Sequence, residues 1–508
     1  MTDIILTTLN ARFAHASLGL RYLRANLGEL HHRSCIVEFV IGQKTEEIVE
    51  KLLAANPRIV GFGVYIWNVE ETTRIVAQLK LLAPQVTIVL GGPEVSYETA
   101  EQRICTLADH VITGWGDVSF ALLARQLLTG TPPAEKVISG VQAPLAALPL
   151  PYAEYTDEDV RKRHLYVEAS RGCPFKCEFC LSALDQTAWP FPLQPFLDQL
   201  DALYRRGARQ FKFVDRTFNL KVEASLAILD YFLAKIAERP GDPPFIHFEL
   251  IPDHLPERLK SAIIQFPPGT LQFEIGIQTF DPEVQSRISR RQKNAVAEAN
   301  LRWLRGHSNA HLHVDLIAGL PGEDVATFAA GFDRLVALNP HEIQFGILKR
   351  LRGAPIARHT ADFDLRFSPD PPYQILATDQ IDFATMQRLS RFARYWDLVA
   401  NSGRFKQTLP LLLGSAPFAR FLEFSDWLYQ HTGQTHALAH ERLVNLLHTY
   451  LAQASDSPVA CAQALIDDYR RAGGRSRLAF ESGDVVLPPP RTRSSGSTPT
   501  RQARHLQS

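Results

Sequence analysis

Glu168-Ala169-Ser170-Arg171-Gly172-Cys173-Pro174-Phe175-Lys176-Cys177-Glu178-Phe179-Cys180 is the most informative stretch of the chain. Three of the six cysteines stand here, spaced Cys-x3-Cys-x2-Cys, while Cys35, Cys105 and Cys461 are scattered. The apolar run before them reads as a strand, so the thiols sit on the loop that leaves its carboxyl end. Three thiolates on one short loop suit a soft metal centre. A structural zinc site wants four ligands, usually two Cys-x2-Cys pairs, and no fourth Cys or His stands nearby. Ferredoxin-type clusters also need a fourth cysteine. Three ligands on a four-iron cluster leave one iron open to another molecule. The bland alternatives are three unrelated cysteines or an incomplete zinc site.

Outward from this loop, apolar runs alternate with amphipathic ones. Downstream, LYVEAS, QFKFV, FIHFELI, LQFEIGI, HLHVDLIAG and HEIQFGI read as six strands, with helical patterns such as SLAILDYFLAKIAE between them. Six strand–helix units fit an open partial (βα)6 barrel, in which chemistry gathers at the carboxyl ends of the strands. Upstream, DIILTTL, CIVEFV, RIVGFGVYI, VTIVLGG and HVITG alternate with helical stretches. That pattern predicts an α/β, Rossmann-like, doubly wound parallel sheet. Ligands on such sheets lie outside the strand carboxyl ends, here the loops 10–17, 65–68, 91–97 and 114–117. The expected organisation is a doubly wound domain over 1–135, a Pro- and Ala-rich linker over 136–160, the barrel over 161–370, a helical region over 371–485 and a disordered tail over 486–508.

The chain has 508 residues, with 54 Lys plus Arg against 54 Asp plus Glu. Zero formal charge argues against a general nucleic-acid or membrane-surface binder, which needs a basic excess. At 45% hydrophobic and 21% charged residues the composition is that of a globular protein. No apolar run approaches the length of a membrane span, and the N-terminus lacks the pattern of a secretory signal. Six cysteines are too few for a disulfide scaffold. The expectation is a cytoplasmic protein with no nucleic-acid or membrane partner.

The cysteine spacing, with aromatic Phe179 before the third cysteine, resembles the radical S-adenosylmethionine (SAM) enzymes. The resemblance implies that Cys173, Cys177 and Cys180 hold a 4Fe-4S cluster and that the open iron binds SAM. One-electron reduction then cleaves SAM to methionine and a 5'-deoxyadenosyl radical. Phe179 is implied beside the adenine. Further motifs follow in order: Asp215 in FVDRTFN, Glu249 in HFELIP, Gln278 in EIGIQTF, Arg290 in SRRQ and Asp315 in DLIAGLPGE. This series is similar to the oxygen-independent coproporphyrinogen oxidase branch, and implies SAM contacts at those five positions. The usual Gly-Gly-Glu near Asp215 is missing. The residue types suit the ligand: a guanidinium grips a carboxylate, and carboxylates accept from ribose hydroxyls. Salt bridges in the barrel mouth are the alternative for the acids, and a surface position for Arg290.

A doubly wound domain ahead of such a barrel resembles the cobalamin-binding class of these enzymes. His15, Tyr65, Trp67, Gly91 and Gly92 are the implied cobalamin contacts, with helix capping or loop packing the alternative for His15 and core packing the alternative for Tyr65 and Trp67. The Asp-x-His-x-x-Gly motif that ligates cobalt is absent: Phe13 stands two residues before His15, and Gly19 four after it. The helical C-terminal region matches an uncharacterised subgroup of the same class. The expected activity is radical SAM chemistry on an unknown small molecule, with cobalamin as second cofactor and a flavodoxin- or ferredoxin-type electron donor, giving methyl transfer or rearrangement. The alternatives are a cobalamin-independent radical SAM oxidoreductase or lyase with a relic N-terminal domain, and a non-catalytic iron–sulfur redox sensor.

Overall fold

Ile4–Asn10 (β1) is buried along its whole length, the signature of a parallel strand covered on both faces. In the computed structural model, which describes residues 2–454, 457–481 and 498–506, it lies inside a six-stranded sheet. The other strands are Ser34–Val40 (β2), Ile59–Gly63 (β3), Thr87–Gly91 (β4), His110–Thr113 (β5) and Val137–Ser139 (β6), in the order β2-β1-β3-β4-β5-β6. All pairings are parallel. Helices Leu18–Ala25 (α1), Thr45–Leu53 (α2), Val69–Leu82 (α3), Arg103–Leu107 (α4) and Asp117–Thr129 (α5) connect the strands. Period-two alternation divides the core. Ile5 and Leu9 pack with Val60, Phe62, Ile75 and Leu79, while Ile4 and Leu6 pack with Leu20, Val89, Phe120 and Leu123. The three-residue edge strand β6 falls in the stretch expected to be linker. It is too short to show a period.

The chain folds as two compact units. The first comprises 1–216, 349–357 and 368–374, and the second 217–348, 358–367 and 375–508. In the first unit, Asp157–Lys162 (α6) opens with a capping box from Thr156. Leu165–Val167 (β7) follows, then the antiparallel pair Ser170–Arg171 (β8) and Trp189–Pro190 (β9), then Leu193–Arg205 (α7) and Gln210–Phe213 (β10). β10 pairs parallel with β7.

In the second unit, Phe245–Leu250 (β11), Leu271–Gln278 (β12), His311–Ala318 (β13) and Glu342–Ile347 (β14) pair parallel in that order. Val222–Glu238 (α8), Glu257–Ile263 (α9), Pro282–Arg287 (α10), Asn294–His307 (α11) and Val325–Ala337 (α12) alternate with them. All six barrel strands thus lie where the apolar runs place them. A small antiparallel pair, Arg366–Phe367 (β15) and Ile375–Ala377 (β16), precedes the helical region. That region contains Phe383–Val399 (α13), Thr408–Leu413 (α14), Pro417–Thr432 (α15), His440–Ala454 (α16) and Pro458–Arg471 (α17). The aromatics here form core. Phe392 packs its ring 5.2 Å from Phe332, 5.1 Å from Phe418 and 4.8 Å from Phe421, and Trp396 joins them.

Within the expected disordered tail, Thr500–Leu506 (α18) is a helix. Its Arg501 pairs with Glu342 at 2.8 Å and Asp397 at 2.7 Å, and Thr498 donates to the Gly269 carbonyl at 2.6 Å. A buried carboxylate at the start of β14 gives one tail arginine a partner other than water. The rest of the tail lies outside the described residues. No helix among the described residues is long and apolar enough to cross a membrane.

Phe392→Ala removes the ring at the centre of the aromatic core. It should cost about 3–5 kcal/mol, read as a lower denaturant midpoint of the helical region. A loss below about 1 kcal/mol would show that α13 is not held by this core.

Candidate functional site

The cysteine loop is shaped by its backbone. Gly172 has φ +90°, and a Cβ there would meet Thr187 Oγ1 at 2.6 Å and the Asp185 carbonyl at 2.8 Å. The Cys173 amide donates to the Asp185 carbonyl at 2.7 Å, and the Cys180 amide to the Cys177 carbonyl at 3.1 Å. Cys173 is buried, while Cys177, Phe179 and Cys180 are half-buried. Burial pushes the Cys173 thiol up to about 11. Glu178 between them is buried, and its carbonyl accepts from the Ile356 amide at 3.0 Å. That contact comes from the returning segment 349–357, which Arg350 and Arg352 fasten to Glu98, each at 2.8 Å. Arg352 also meets Glu94 at 3.0 Å, and the Tyr373 hydroxyl donates to Glu94 at 2.6 Å.

Arg171 precedes the loop and has no signal in the sequence pattern. It pairs with Asp117 at 2.8 Å and Glu168 at 2.7 Å, and its guanidinium lies within 5 Å of the Tyr22 and Trp115 rings. The same residue lines a cavity of about 240 Å³ in the doubly wound sheet. Leu20, Phe62, Val89, Ile112 and Phe120 make that lining apolar, and Gly61, Gly63, Gly91 and Gly92 bring bare backbone to it. At Gly92, φ is +112° and a Cβ would stand 2.5 Å from the Val64 carbonyl, so only glycine fits. An apolar cavity with few charged groups is the usual form of a cofactor site.

The structure separates the five residues expected around cobalamin. Tyr65, Gly91 and Gly92 line the cavity. Trp67 stacks on Tyr65 with centroids 4.5 Å apart, 46% exposed, and its Nε1 donates to the Leu9 carbonyl at 3.1 Å. His15 does not line the cavity. Its Nδ1 lies 2.6 Å from the Tyr166 hydroxyl, and burial with neighbouring His164 lowers its pKa. Asn68, unmarked in the sequence, is buried and locks the 65–68 loop by donating to Leu9 and accepting from the Tyr65 amide.

Asp215 is buried at the end of β10. Its carboxylate accepts from the Ala169 amide at 3.0 Å and the Ser170 hydroxyl at 2.6 Å. It therefore holds the end of the strand that feeds the cysteine loop. Burial pushes its pKa up to about 7.

In the second unit, Glu249 lies half-buried at the end of β11. Gln278 closes β12 at φ +69°, beside a register shift against β13, and its Oε1 is buried without a partner among the described residues. Arg290 donates to the Gly276 carbonyl and to Gln292 Oε1 at 3.0 Å. The pair therefore converges on Gly276, where a side chain would collide with the Gln278 amide. Asp315 lies on β13, 3.6 Å from His313 Nε2. Among the described residues, no group of three or more His, Cys, Asp or Glu converges on a single metal ion.

Comparison with known proteins matches residues 4–124 to the B12-binding domain, 167–335 to the radical SAM superfamily and 361–478 to a family of proteins of unknown function, DUF4080. An uncharacterised methyltransferase of Pyrococcus horikoshii is 26% identical over 236 residues, covering 42% of this chain and 51% of its own. The cobalamin-dependent radical SAM methyltransferase TokK of Streptomyces tokunonensis is 24% identical over 318 residues, covering 56% of this chain and 46% of its own. The chain thus spans about half the length of these curated relatives. The solved structure of the radical SAM methyltransferase TsrM of Kitasatospora setae, with cobalamin and a 4Fe-4S cluster bound, shares the fold at a TM-score of 0.57. It is 17% identical and covers 71% of this chain and 75% of that one. The chain carries a B12-binding domain and a radical SAM domain, and is homologous to cobalamin-dependent radical SAM methyltransferases.

Asp215 yields a pH test. Its pKa is about 7 in the fold against 3.8 in the unfolded chain, so between those values the native state keeps a proton that the unfolded state has shed. The associated stability is present below about pH 4 and lost as the pH rises through about 7. The unfolding midpoint of the natural protein should therefore fall relative to that of Asp215→Asn from acid to neutral pH. Parallel profiles would place the ionised carboxylate in the fold.

Proposed function

We propose that this chain is a cobalamin-binding radical SAM enzyme acting on a small molecule by methyl transfer or rearrangement. The observation that carries the reading is that Arg171 both precedes the cysteine loop and lines the apolar, glycine-walled cavity. One group thus serves two cofactor-type sites. When bound, a 4Fe-4S cluster supplies the electron that cleaves SAM reductively to the 5'-deoxyadenosyl radical, and cobalamin supplies a methyl carrier.

The residues divide the remaining work. Cys173, Cys177 and Cys180 hold the cluster as thiolates, with Gly172 and the Asp185 carbonyl fixing their loop. Phe179 packs against the adenine. Glu249 accepts from ribose hydroxyls, Arg290 grips the methionine carboxylate, and Gln278 and Asp315 bind further polar atoms of SAM. Asp215 is assigned to hold the strand end, because Ala169 and Ser170 already engage its carboxylate. Gly61, Gly63, Gly91, Gly92 and Tyr65 would line the part of the cobalamin that enters the cavity. His15 lies outside that cavity lining, with its Nδ1 against the Tyr166 hydroxyl, so no cobalamin contact is assigned to it. A cytoplasmic location and a flavodoxin- or ferredoxin-type donor complete the proposal.

A second reading, radical SAM chemistry without cobalamin, draws on the absent cobalt-ligating motif and the engaged His15. Anaerobic reconstitution with iron, sulfide and hydroxocobalamin, followed by desalting, separates the two. Stoichiometric cobalt retained with the protein supports the first. Iron retained without cobalt supports the second, and neither retained would overturn both. Cys177→Ala should lose the cluster and keep cobalamin, whereas Gly91→Leu, at a lining position where a Cβ meets nothing nearer than 3.8 Å, should fill the cavity and do the reverse. Arg290→Ala should weaken SAM binding by about tenfold or more, the loss of one charge-assisted hydrogen bond. Unchanged affinity would remove Arg290 from the SAM site.

A further inference from the structure

Glu323 ends the Gly-Leu-Pro-Gly-Glu turn after β13 and is 2% exposed. Its Oε1 lies 2.5 Å from Thr279 Oγ1, and its buried Oε2 has no hydrogen-bond partner among the described residues. Burial raises this carboxyl to about 8, so it is mostly a neutral acid at neutral pH. A buried acid with so few partners is costly unless what it holds repays it.

What it holds is a hydrogen-bonded frame. Thr279 Oγ1 also accepts from the Asp281 amide at 3.1 Å, and Asp281 caps α10 through the Val284 amide at 2.8 Å. Gln285 of α10 donates to the Thr279 carbonyl and to Asn294 Oδ1, both at 2.8 Å. Asn294 donates to the Phe280 carbonyl at 2.8 Å, and Gln292 donates to Asn294 at 2.9 Å. Arg290 closes the frame by donating from its side chain to Gln292 Oε1 at 3.1 Å and from its amide to the Gln285 carbonyl at 2.8 Å. Gln278, in its left-handed conformation, is the residue directly before Thr279. The frame therefore carries Gln278 at one end and Arg290 at the other, and the Thr279–Glu323 bond fastens it to the turn after the next strand.

We infer that Glu323 is a positioning residue: through Thr279 it sets the loop that aims Gln278 and Arg290, and so controls SAM affinity without touching SAM. The inference rests on the SAM reading of those two residues. Backbone strain of the kind seen at Gln278 persists only where surrounding bonds over-determine it, which is the service this anchor performs.

The test uses the reconstituted full-length holoenzyme and measures SAM binding by equilibrium dialysis, with iron content and unfolding midpoint alongside. Glu323→Ala and Thr279→Val should each weaken SAM binding about tenfold, with iron content unchanged. Glu323→Gln, which keeps the shape and an acceptor for the Thr279 hydroxyl, should restore most of the affinity. If SAM cleavage is followed, KM for SAM should rise in Glu323→Ala while kcat at saturation holds. Natural affinity in Thr279→Val, or a Glu323→Gln variant as weak as Glu323→Ala, overturns the inference. Should Glu323→Ala fail to fold, the Thr279→Val and Glu323→Gln pair still decides. Arg290→Ala separates the two levels. If it alone weakens SAM, the anchor fails and the site stands; if it too binds normally, the site assignment has failed.

Discussion

The Arg171 guanidinium is the interaction on which the first unit depends. Burial disfavours its charge, but Glu168 and Asp117 hold it protonated, and the Tyr22 and Trp115 rings lie against its faces. It stands two residues before Cys173, so whatever fixes its position also fixes where the cysteine loop begins. A lysine would not substitute, because only the planar fork can meet two carboxylates and stack on rings at once. Removing the charge would leave two buried acids facing each other, a loss larger than the pair itself contributes. One side chain thus ties the chemistry-bearing loop to the sheet that carries the cavity.

Much of this was legible along the chain because it is local. The six barrel strands repeat with period two between helical patterns, and the three thiols announce themselves by spacing. The parts that were not legible are tertiary. Arg171 sits between a serine and a glycine with nothing periodic about it, and its importance comes from Asp117, a residue distant in sequence. Asp215 occupies the expected strand end, yet its orientation depends on hydrogen bonds donated by the Ala169 amide and the Ser170 hydroxyl, which no pattern reveals. His15 has a suitable residue type, but it does not line the cavity and its Nδ1 lies against the hydroxyl of Tyr166, a partner far along the chain.

Composition misleads at the C-terminus for a related reason. Arginines among prolines, serines and threonines read as solvated chain, because sequence alone shows no acid for them to meet. Glu342 is 2% exposed, and Arg501 joins His311 on its carboxylate. Buried charge selects a partner wherever the chain can supply one, even from a segment of disordered composition. The polar base of the second unit's sheet and the tail helix are therefore complementary halves of one arrangement.

The returning segments 349–357 and 368–374 belong to the first unit, although 132 residues of the second (217–348) are made before them. Tyr97 rests in the space that a side chain at Gly353 would take, and Glu94 waits for Arg352 and Tyr373. A ribosome adding about 5–20 residues per second would leave that acid without those partners for roughly 7 to 30 seconds after residue 216 is made. The first unit is therefore interrupted in time as well as in sequence, and a gene fragment ending at the first break encodes an interior with its clasp missing.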